Sequence, residues 1–442
     1  MENSLSKKVT FFSLIKYTLP TIIMMLFFSL YTIIDGMFVS RFIGSNALSA
    51  INITYPIIAI FLSLSIMLAT GGSAIVAKLM GEGKNDKACE GFTLINLTAI
   101  IIGILIAIPA LLFIKPLINL LGSTEILYDY CKDYLSIFLI CAPLLILKSL
   151  FDYFFVTAGK PTLGLVCSIL GGLTNILLDY IFIAKLQLGI SGAALATCIG
   201  YSITAIIGVL YFFRKHSFLH FKKTSFDGKL IINCCSNGFS EMVTQLSSAI
   251  MTFAYNLLML KYLGEDGVAA ITIILYLEML LFSAYIGFTS GVSPRISYNY
   301  GAKDIIKIKK IIKYSYIHIL ILSIVSFISI EFFGDTLLIL FSGKDSNVYL
   351  ITSLGLKLFS ISFLFSGFNT FTTGMFTAFS NGKVSALLSF FRTFVFFILG
   401  ILTLPLLLNI TGIWLIAPFY EFISLIMSLA FFLKYRKTYQ YI

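Results

Sequence analysis

Asp179 stands four residues after Asn175 in the stretch GGLTNILLDYIFI, residues 171–183, whose other side chains are nearly all apolar. On a helix the two side chains share one face. A carboxylate in such surroundings costs on the order of 2.5–3.5 kcal/mol on insertion scales, so it pairs, faces a polar interior or marks an ion pathway. Five more acids lie in apolar stretches: Asp35, Asp152, Glu241, Glu278 and Glu421. Asp35 follows Lys16 by 19 residues, and Asp179 follows Lys160 by 19. At 1.5 Å per helical residue, both sit roughly 28 Å from the surface those lysines mark. Thr197 lies 17 residues before Arg214, on a span running the other way, and reaches a similar depth. Two carboxylates, an amide and a hydroxyl can therefore meet, with no basic side chain placed to neutralise them. That is the chemistry of a cation site. Desolvation and like charge favour the protonated carboxyl, so such a pair takes up and releases a proton, and the same oxygens can hold sodium. The alternative is two acids that snorkel or face trapped water.

These residues are positioned by apolar helices. The chain has 442 residues, of which 59% are hydrophobic and 12% charged, and its mean hydropathy is +0.99. Soluble domains carry about 25% charged residues. Runs of roughly 20 apolar residues, the thickness of a bilayer core, recur throughout. They predict twelve spans, near 14–37, 48–72, 92–114, 134–156, 162–184, 191–213, 231–259, 268–292, 311–333, 349–376, 384–408 and 412–433. The fold class is thus all-α integral membrane protein, because a closed barrel would show short alternating segments instead. The first run leads into Asp35-Gly36-Met37 without a small-residue cleavage pattern, and is read as a span rather than a removed leader.

Basic residues set the orientation. With the N-terminus inside, 22 of the 31 Lys and Arg, among them Lys215, lie inside; six, Arg41, Lys115, Lys132, Lys185, Lys261 and Lys344, lie outside; Lys148, Lys357 and Arg392 fall within spans. Both termini are expected in the cytoplasm, with the chain in the plasma (inner) membrane. This topology also accounts for the net charge of +11 without a nucleic-acid partner.

The sequence repeats at an offset of 220. GSNALSAINI (44–53) faces GEDGVAAITI (264–273), Gly71 and Ser73 face Gly291 and Ser293, Gly81 faces Gly301, and ISGAALA (190–196) faces ITGIWLI (410–416). AGK (158–160) matches NGK (381–383) after a slip of three. Six spans per half leave both halves in the same orientation, a transporter architecture with the cargo site between them. The expected division is an N-lobe at 1–213, a cytoplasmic linker at 214–230 and a C-lobe at 231–442. Asp35 faces Tyr255, and Asp179 faces Leu399 or Leu402, so the acid pair exists in one half only.

The second half carries Glu241, Glu278, Lys357, Arg392 and Glu421. Both signs are present, so internal ion pairs are the first expectation; an acid binding cationic cargo is the alternative, for which Glu241 and Glu278 are the candidates. Lys148 and Asp152, four apart, are expected to pair. Arg295 reads as a topology anchor, and His318 as structural. The seven cysteines form no CxxC pair and read as small packing residues. The 43 Phe, 23 Tyr and 12 Met suit an adaptable apolar cavity, and equally any lipid-facing helix.

Several stretches together resemble the multidrug and toxic compound extrusion (MATE) transporters: YTLPTIIMMLFFSLYTIIDGMFVSRFIGSNALSAINITYPI, the paired loops GGSAIVAKLMGEGK and SGVSPRISYNYGAK, AGKPTLGLVCSILGGLTNILLDYIFI, and LGISGAALAT. The resemblance covers nearly the whole chain. It implies twelve helices in two six-helix lobes and alternating access. In the DinF-like branch it further implies a proton or sodium site made of an Asp late in the first span, Asn-x-x-x-Asp in the fifth and Thr in the sixth. Asp35, Asn175, Asp179 and Thr197 match these elements. Another branch has an acidic C-lobe site; Glu241 matches its seventh-span acid, but the tenth span has no Asp to complete it.

The expected function is therefore efflux of small organic cations or drugs by antiport with protons or sodium, by a monomer that contacts lipid and needs no cofactor. A flippase for lipid-linked or amphipathic substrates is the rival, though six in-span acids against three bases favour cationic cargo. An enzyme is not expected: the histidines are His216, His220 and His318, with no HExxH and no GxSxG.

Overall fold

The computed structural model describes residues 4–214, 218–341 and 346–442; Lys215, His216 and Lys344 lie outside these. Among the described residues every regular element is helical. Lipid leaves no water for backbone groups, and a helix satisfies them within itself. Among the described residues, nine helices are apolar and long enough to cross a bilayer: Phe11–Phe42, Asn46–Gly81, Asn85–Leu112, Glu125–Thr157, Pro161–Lys185, Gly189–Phe213, Gly228–Gly301, Ile305–Ile339 and Gly382–Tyr439. Gly228–Gly301 is two spans that meet at Gly264 (φ 65°), and Gly382–Tyr439 is two that meet at Asn409 (φ 51°). Asn347–Ser360 and Phe363–Ala378, bent by 50° at their junction, form one broken span. The spans therefore number twelve, as expected, although the sequence had the tenth continuous.

Several helices outrun the predicted spans. The second extends to Gly81, the eighth to Gly301, the ninth runs from Ile305 to Ile339, and the twelfth reaches Tyr439. The ninth span carries two further acids, Glu331 near the end of the predicted 311–333 run and Asp335 beyond it. They accept hydrogen bonds from Ser360 (2.9 Å) and Ser353 (2.8 Å) of the tenth.

The repeat is visible in the backbone. Left-handed residues sit at Gly44 and Gly264, at Gly83 and Lys303, and at Gly189 and Asn409, each pair 220 apart. The turn before the fifth span has its left-handed residue at Gly159, and the turn before the eleventh at Ser380. The slip there is one residue, not three: Gly382 begins its helix, and its missing Cβ leaves room for the Ser236 carbonyl. On this register Asp179 faces Gly400 rather than Leu399 or Leu402. The acid still has no mate in the second half.

The halves meet by reciprocal glycine contacts. Gly71 packs on Gly238, and Gly291 on Thr18; Gly81 packs on the Tyr298 carbonyl, and Gly301 on that of Lys78. Adding 220 to the first-half member of a first pair and subtracting 220 from its second-half member gives the second pair, so an approximate two-fold axis passes between the halves. The contacts lie in the part of the molecule nearer the two termini. Ser29 and Ser283 touch farther along the same interface. Residues 218–227 fold back on the first half, where Lys222 N donates to Thr93 (3.0 Å) and Lys222 Nζ pairs with Asp86 (2.8 Å).

Candidate functional site

Close helix approach builds the first-half site. Gly171 and Gly200 pack backbone to backbone, where a Cβ on either would crowd the other's carbonyl oxygen, at 2.6 and 2.8 Å. This presses the fifth span on the sixth. One turn beyond Gly171 lies Asn175, whose Nδ2 donates to Thr197 Oγ1 at 3.4 Å. Gly172 meets Phe27 and Tyr31 in the same way and presses the fifth span on the first. Two turns beyond Gly172 is Asp179, and one turn beyond Tyr31 is Asp35. Their carboxyl groups face each other within hydrogen-bonding reach.

Asp179 is fully buried, and among the described residues neither of its oxygens has a hydrogen-bond donor. Asp35 Oδ1 and Asn175 Oδ1 are likewise buried without one. Two ionised carboxylates cannot hydrogen-bond, because each only accepts. One proton turns the contact into a hydrogen bond. The alternative remedy is a cation among the oxygens, and an all-oxygen donor set suits a hard ion. The four residues thus fit a proton or sodium.

Two features around the site escaped the sequence reading. Buried Tyr31 and Tyr134 and half-buried Tyr201 lie close enough to feel the charge of Asp35, and the Tyr31 and Tyr201 hydroxyls face each other. Tyr31 is four residues before Asp35 and Tyr201 four after Thr197, so helical spacing was a usable signal. The helix is also locally widened to π geometry at Val39–Ile43, just past Asp35, and at Tyr180–Lys185, directly after Asp179. Such widened turns recur at functional sites.

Lys148 and Asp152 form the expected ion pair at 2.7 Å, and Lys148 lies over the rings of Phe28 (4.6 Å) and Tyr201 (5.5 Å). His318 is buried, with Nδ1 2.7 Å from the Tyr314 carbonyl and its ring stacked on Phe11. Arg295 is not a surface anchor. It is 3% exposed, donates to the Ser4 carbonyl at 3.0 Å and covers the Tyr17 ring at 4.5 Å. A cation near a helix end reads as topology from sequence alone; its burial depends on residues 4–9 folding in over it.

In the second half, the ion-pair expectation holds for one acid. Arg392 donates through Nε (3.0 Å) and Nη2 (2.6 Å) to Glu421 Oε1, and Asn369 donates to Oε2 at 2.7 Å. Arg392 belongs to a third π-widened stretch, Phe391–Phe396. Glu241 and Glu278 are corrections: both lie near Arg392, yet neither forms an ion pair among the described residues. Glu278 is bordered by Tyr255 and Tyr420. Lys357 is exposed and forms no ion pair among the described residues.

A twelve-span helical protein in two like-oriented halves, with a pair of facing acids inside one of them, has the architecture of a polytopic membrane transporter. The sequence pattern of the MatE family matches residues 20–181 and again residues 241–402, and the chain belongs to that family. It is 24% identical over 415 residues to the multidrug export protein MepA of Staphylococcus saprophyticus, covering 92% of this chain and 89% of that one. With MepA of Staphylococcus haemolyticus the identity is 26% over 381 residues, covering 86% and 84%. A MOP superfamily transporter from Pyrococcus furiosus has the same fold, with a TM-score of 0.92 at 21% identity over 100% of this chain and 99% of that one. So does a MATE family multidrug resistance transporter in an outward-facing conformation, with a TM-score of 0.91 at 21% identity over 97% and 96%.

Proposed function

We propose that this protein exports organic, chiefly cationic, compounds across the plasma membrane by antiport with protons or sodium. The observation that carries the reading is the buried contact of Asp179 with Asp35, acceptor against acceptor, with no donor on either Asp179 oxygen among the described residues. Export proteins among the relatives support the cargo class. In this reading both termini are cytoplasmic, and the lobes 1–213 and 231–442, joined by 214–230, rock about their glycine-lined contact. The protein works as a monomer in contact with lipid and performs no covalent chemistry.

The glycine-lined cross-lobe contacts gather at the terminal side, and in this reading they close the cytoplasmic end. A cation arriving from outside binds between Asp35 and Asp179, with Asn175 and Thr197 completing the polar wall. Neutralising the pair removes the repulsion between spans one and five and lets them repack. Ion entry drives export only because the bound ion favours one lobe arrangement over the other.

The test uses purified protein in liposomes loaded with a fluorescent organic cation, under a proton gradient and a sodium gradient separately. Cargo movement under one gradient, lost in Asp35→Asn and Asp179→Asn at normal expression, is expected. Wild-type movement in both variants would sink the reading. Folded protein that moves nothing under either gradient would shift weight to lipid-linked substrates.

A further inference from the structure

Away from the acid site, a cleft of about 480 Å³ opens where the ninth span begins and the twelfth ends. Ile305 and Lys309 line it from the ninth span, Arg436 and Lys437 from the last turn of the twelfth, and Gln440 and Ile442 from the segment beyond. No acidic side chain lines it. The acid nearest in sequence, Asp304, is engaged elsewhere: it accepts from Lys307 N at 3.0 Å and pairs with Lys307 Nζ at 3.1 Å. Among the described residues Lys309, Arg436 and Lys437 form no ion pair.

The cleft has a fixed wall. Gln440 takes the left-handed conformation (φ 52°) and turns Tyr441 inward. Tyr441 is 3% exposed, donates to the Phe432 carbonyl at 2.6 Å and stacks on Phe432 at 4.7 Å. Tyr439 stacks on Phe379 at 4.5 Å and accepts from Asn381 at 2.9 Å. Above the cleft, Leu429 and Leu433 form an exposed apolar strip that leads, at intervals of four residues, down to Lys437. On the ninth span Ile317, Ile321 and Ile324 are exposed above Lys309.

Cations at a helix C-terminus offset its dipole, and cations at the cytoplasmic face set topology. Neither role requires three of them to converge from two helices on one walled cleft below an apolar strip. We propose that the cleft binds the phosphate of an anionic lipid of the cytoplasmic leaflet, such as phosphatidylglycerol, with its acyl chains along the strip. Basic pockets between spans on that side recognise such headgroups. The inference rests on the cytoplasmic placement of the termini proposed above.

Binding is measured on the full-length protein in detergent, where neither orientation nor transport enters. Phosphatidylglycerol, phosphatidylcholine and inorganic phosphate are titrated against thermal stability. Phosphatidylglycerol is expected to raise Tm, with an apparent affinity weakened on the order of a hundredfold in Lys309→Gln/Arg436→Gln/Lys437→Gln. Lys310→Gln, one residue along and not lining the cleft, keeps wild-type affinity and controls for general charge loss. Equal affinity in the triple variant, or an equal gain with phosphatidylcholine, would overturn the proposal. An equal gain with inorganic phosphate would overturn the lipid assignment in favour of a free anion. Orientation is read separately, by labelling Lys437→Cys with an impermeant maleimide in intact cells. Labelling from outside would sink the cytoplasmic placement, whatever the titration gives.

Discussion

Arg295 donates to the Ser4 carbonyl while its guanidinium covers the ring of Tyr17. Ser4 Oγ in turn donates to the Gly159 carbonyl at 3.1 Å, and Tyr17 donates to that of Val156 at 2.8 Å. One buried cation of the second half thus ties the N-terminal segment across the first half. Leu5 and Val9 are buried beneath it. In Arg295→Ala the segment loses its tether and the site keeps a hole. A thiol reagent should then modify Ser4→Cys, in a cysteine-free background of the purified protein, several-fold faster. Arg295→Lys should restore only part of the protection, because an ammonium lacks the planar stacking surface. Unchanged labelling in Arg295→Ala would show that the tether does not hold the segment.

Gly81 and Gly301 are repeat mates, and each sits where a methyl group would overlap a carbonyl oxygen of the opposite half. Gly81→Ala and Gly301→Ala should each penalise the closed contact by roughly 1–3 kcal/mol, the usual range for overpacking. Spin labels at Glu82 and Lys303 straddle the contact. Their distance distribution should lengthen in either variant, and to a similar extent because the sites are equivalent. A shift in only one variant would mean that the two contacts are not equivalent in energy.

The acids were legible in the sequence because lipid makes each one costly, and their depth followed from helical rise. The repeat was legible through its glycines, which mark turns and close contacts. Other features had no such signature. Ser380 and Asn409 take left-handed conformations without being glycine, so the turn before the eleventh span was misregistered. The π-widened turns beside Asp35 and Asp179 carry no local sequence pattern that marks them. Asp335 was passed over because the ninth helix continues beyond its predicted apolar run, whereas Glu331 lies inside that run, near its end, and was overlooked. Arg295 was misread because a tertiary contact, not its place on its own helix, decides its environment.

Lys148 and Asp152 are buried together in the fourth span, where the lysine pairs with Oδ2 and Asp152 Oδ1 has no partner among the described residues. Removing only the lysine strands a charge. Lys148→Ala should cost about 3–5 kcal/mol, whereas Lys148→Met/Asp152→Leu should recover most of it. Thermal unfolding of the purified protein measures both. A double variant as unstable as the single one would show that packing, not charge, sets the loss.

Arg392 and Glu278 face one another's surroundings with opposite obligations. Arg392 completes the hydrogen bonding of Glu421, so Arg392→Ala leaves Glu421 Oε1 without its two donors and should destabilise the protein by several kcal/mol. Glu278 forms no ion pair among the described residues, and Glu278→Gln should change stability by less than about 1 kcal/mol. Beside Tyr255 and Tyr420, its charge is placed to attract a cation against aromatic rings. Glu278→Gln should therefore weaken binding of a fluorescent organic cation by about tenfold, equivalent to roughly 1.4 kcal/mol, while Tm holds. Fluorescence polarisation and thermal unfolding on the same preparation separate the two effects. A Glu278→Gln protein that binds the cation like wild type would take Glu278 out of the cargo path, and one that loses stability like Arg392→Ala would make it a structural charge.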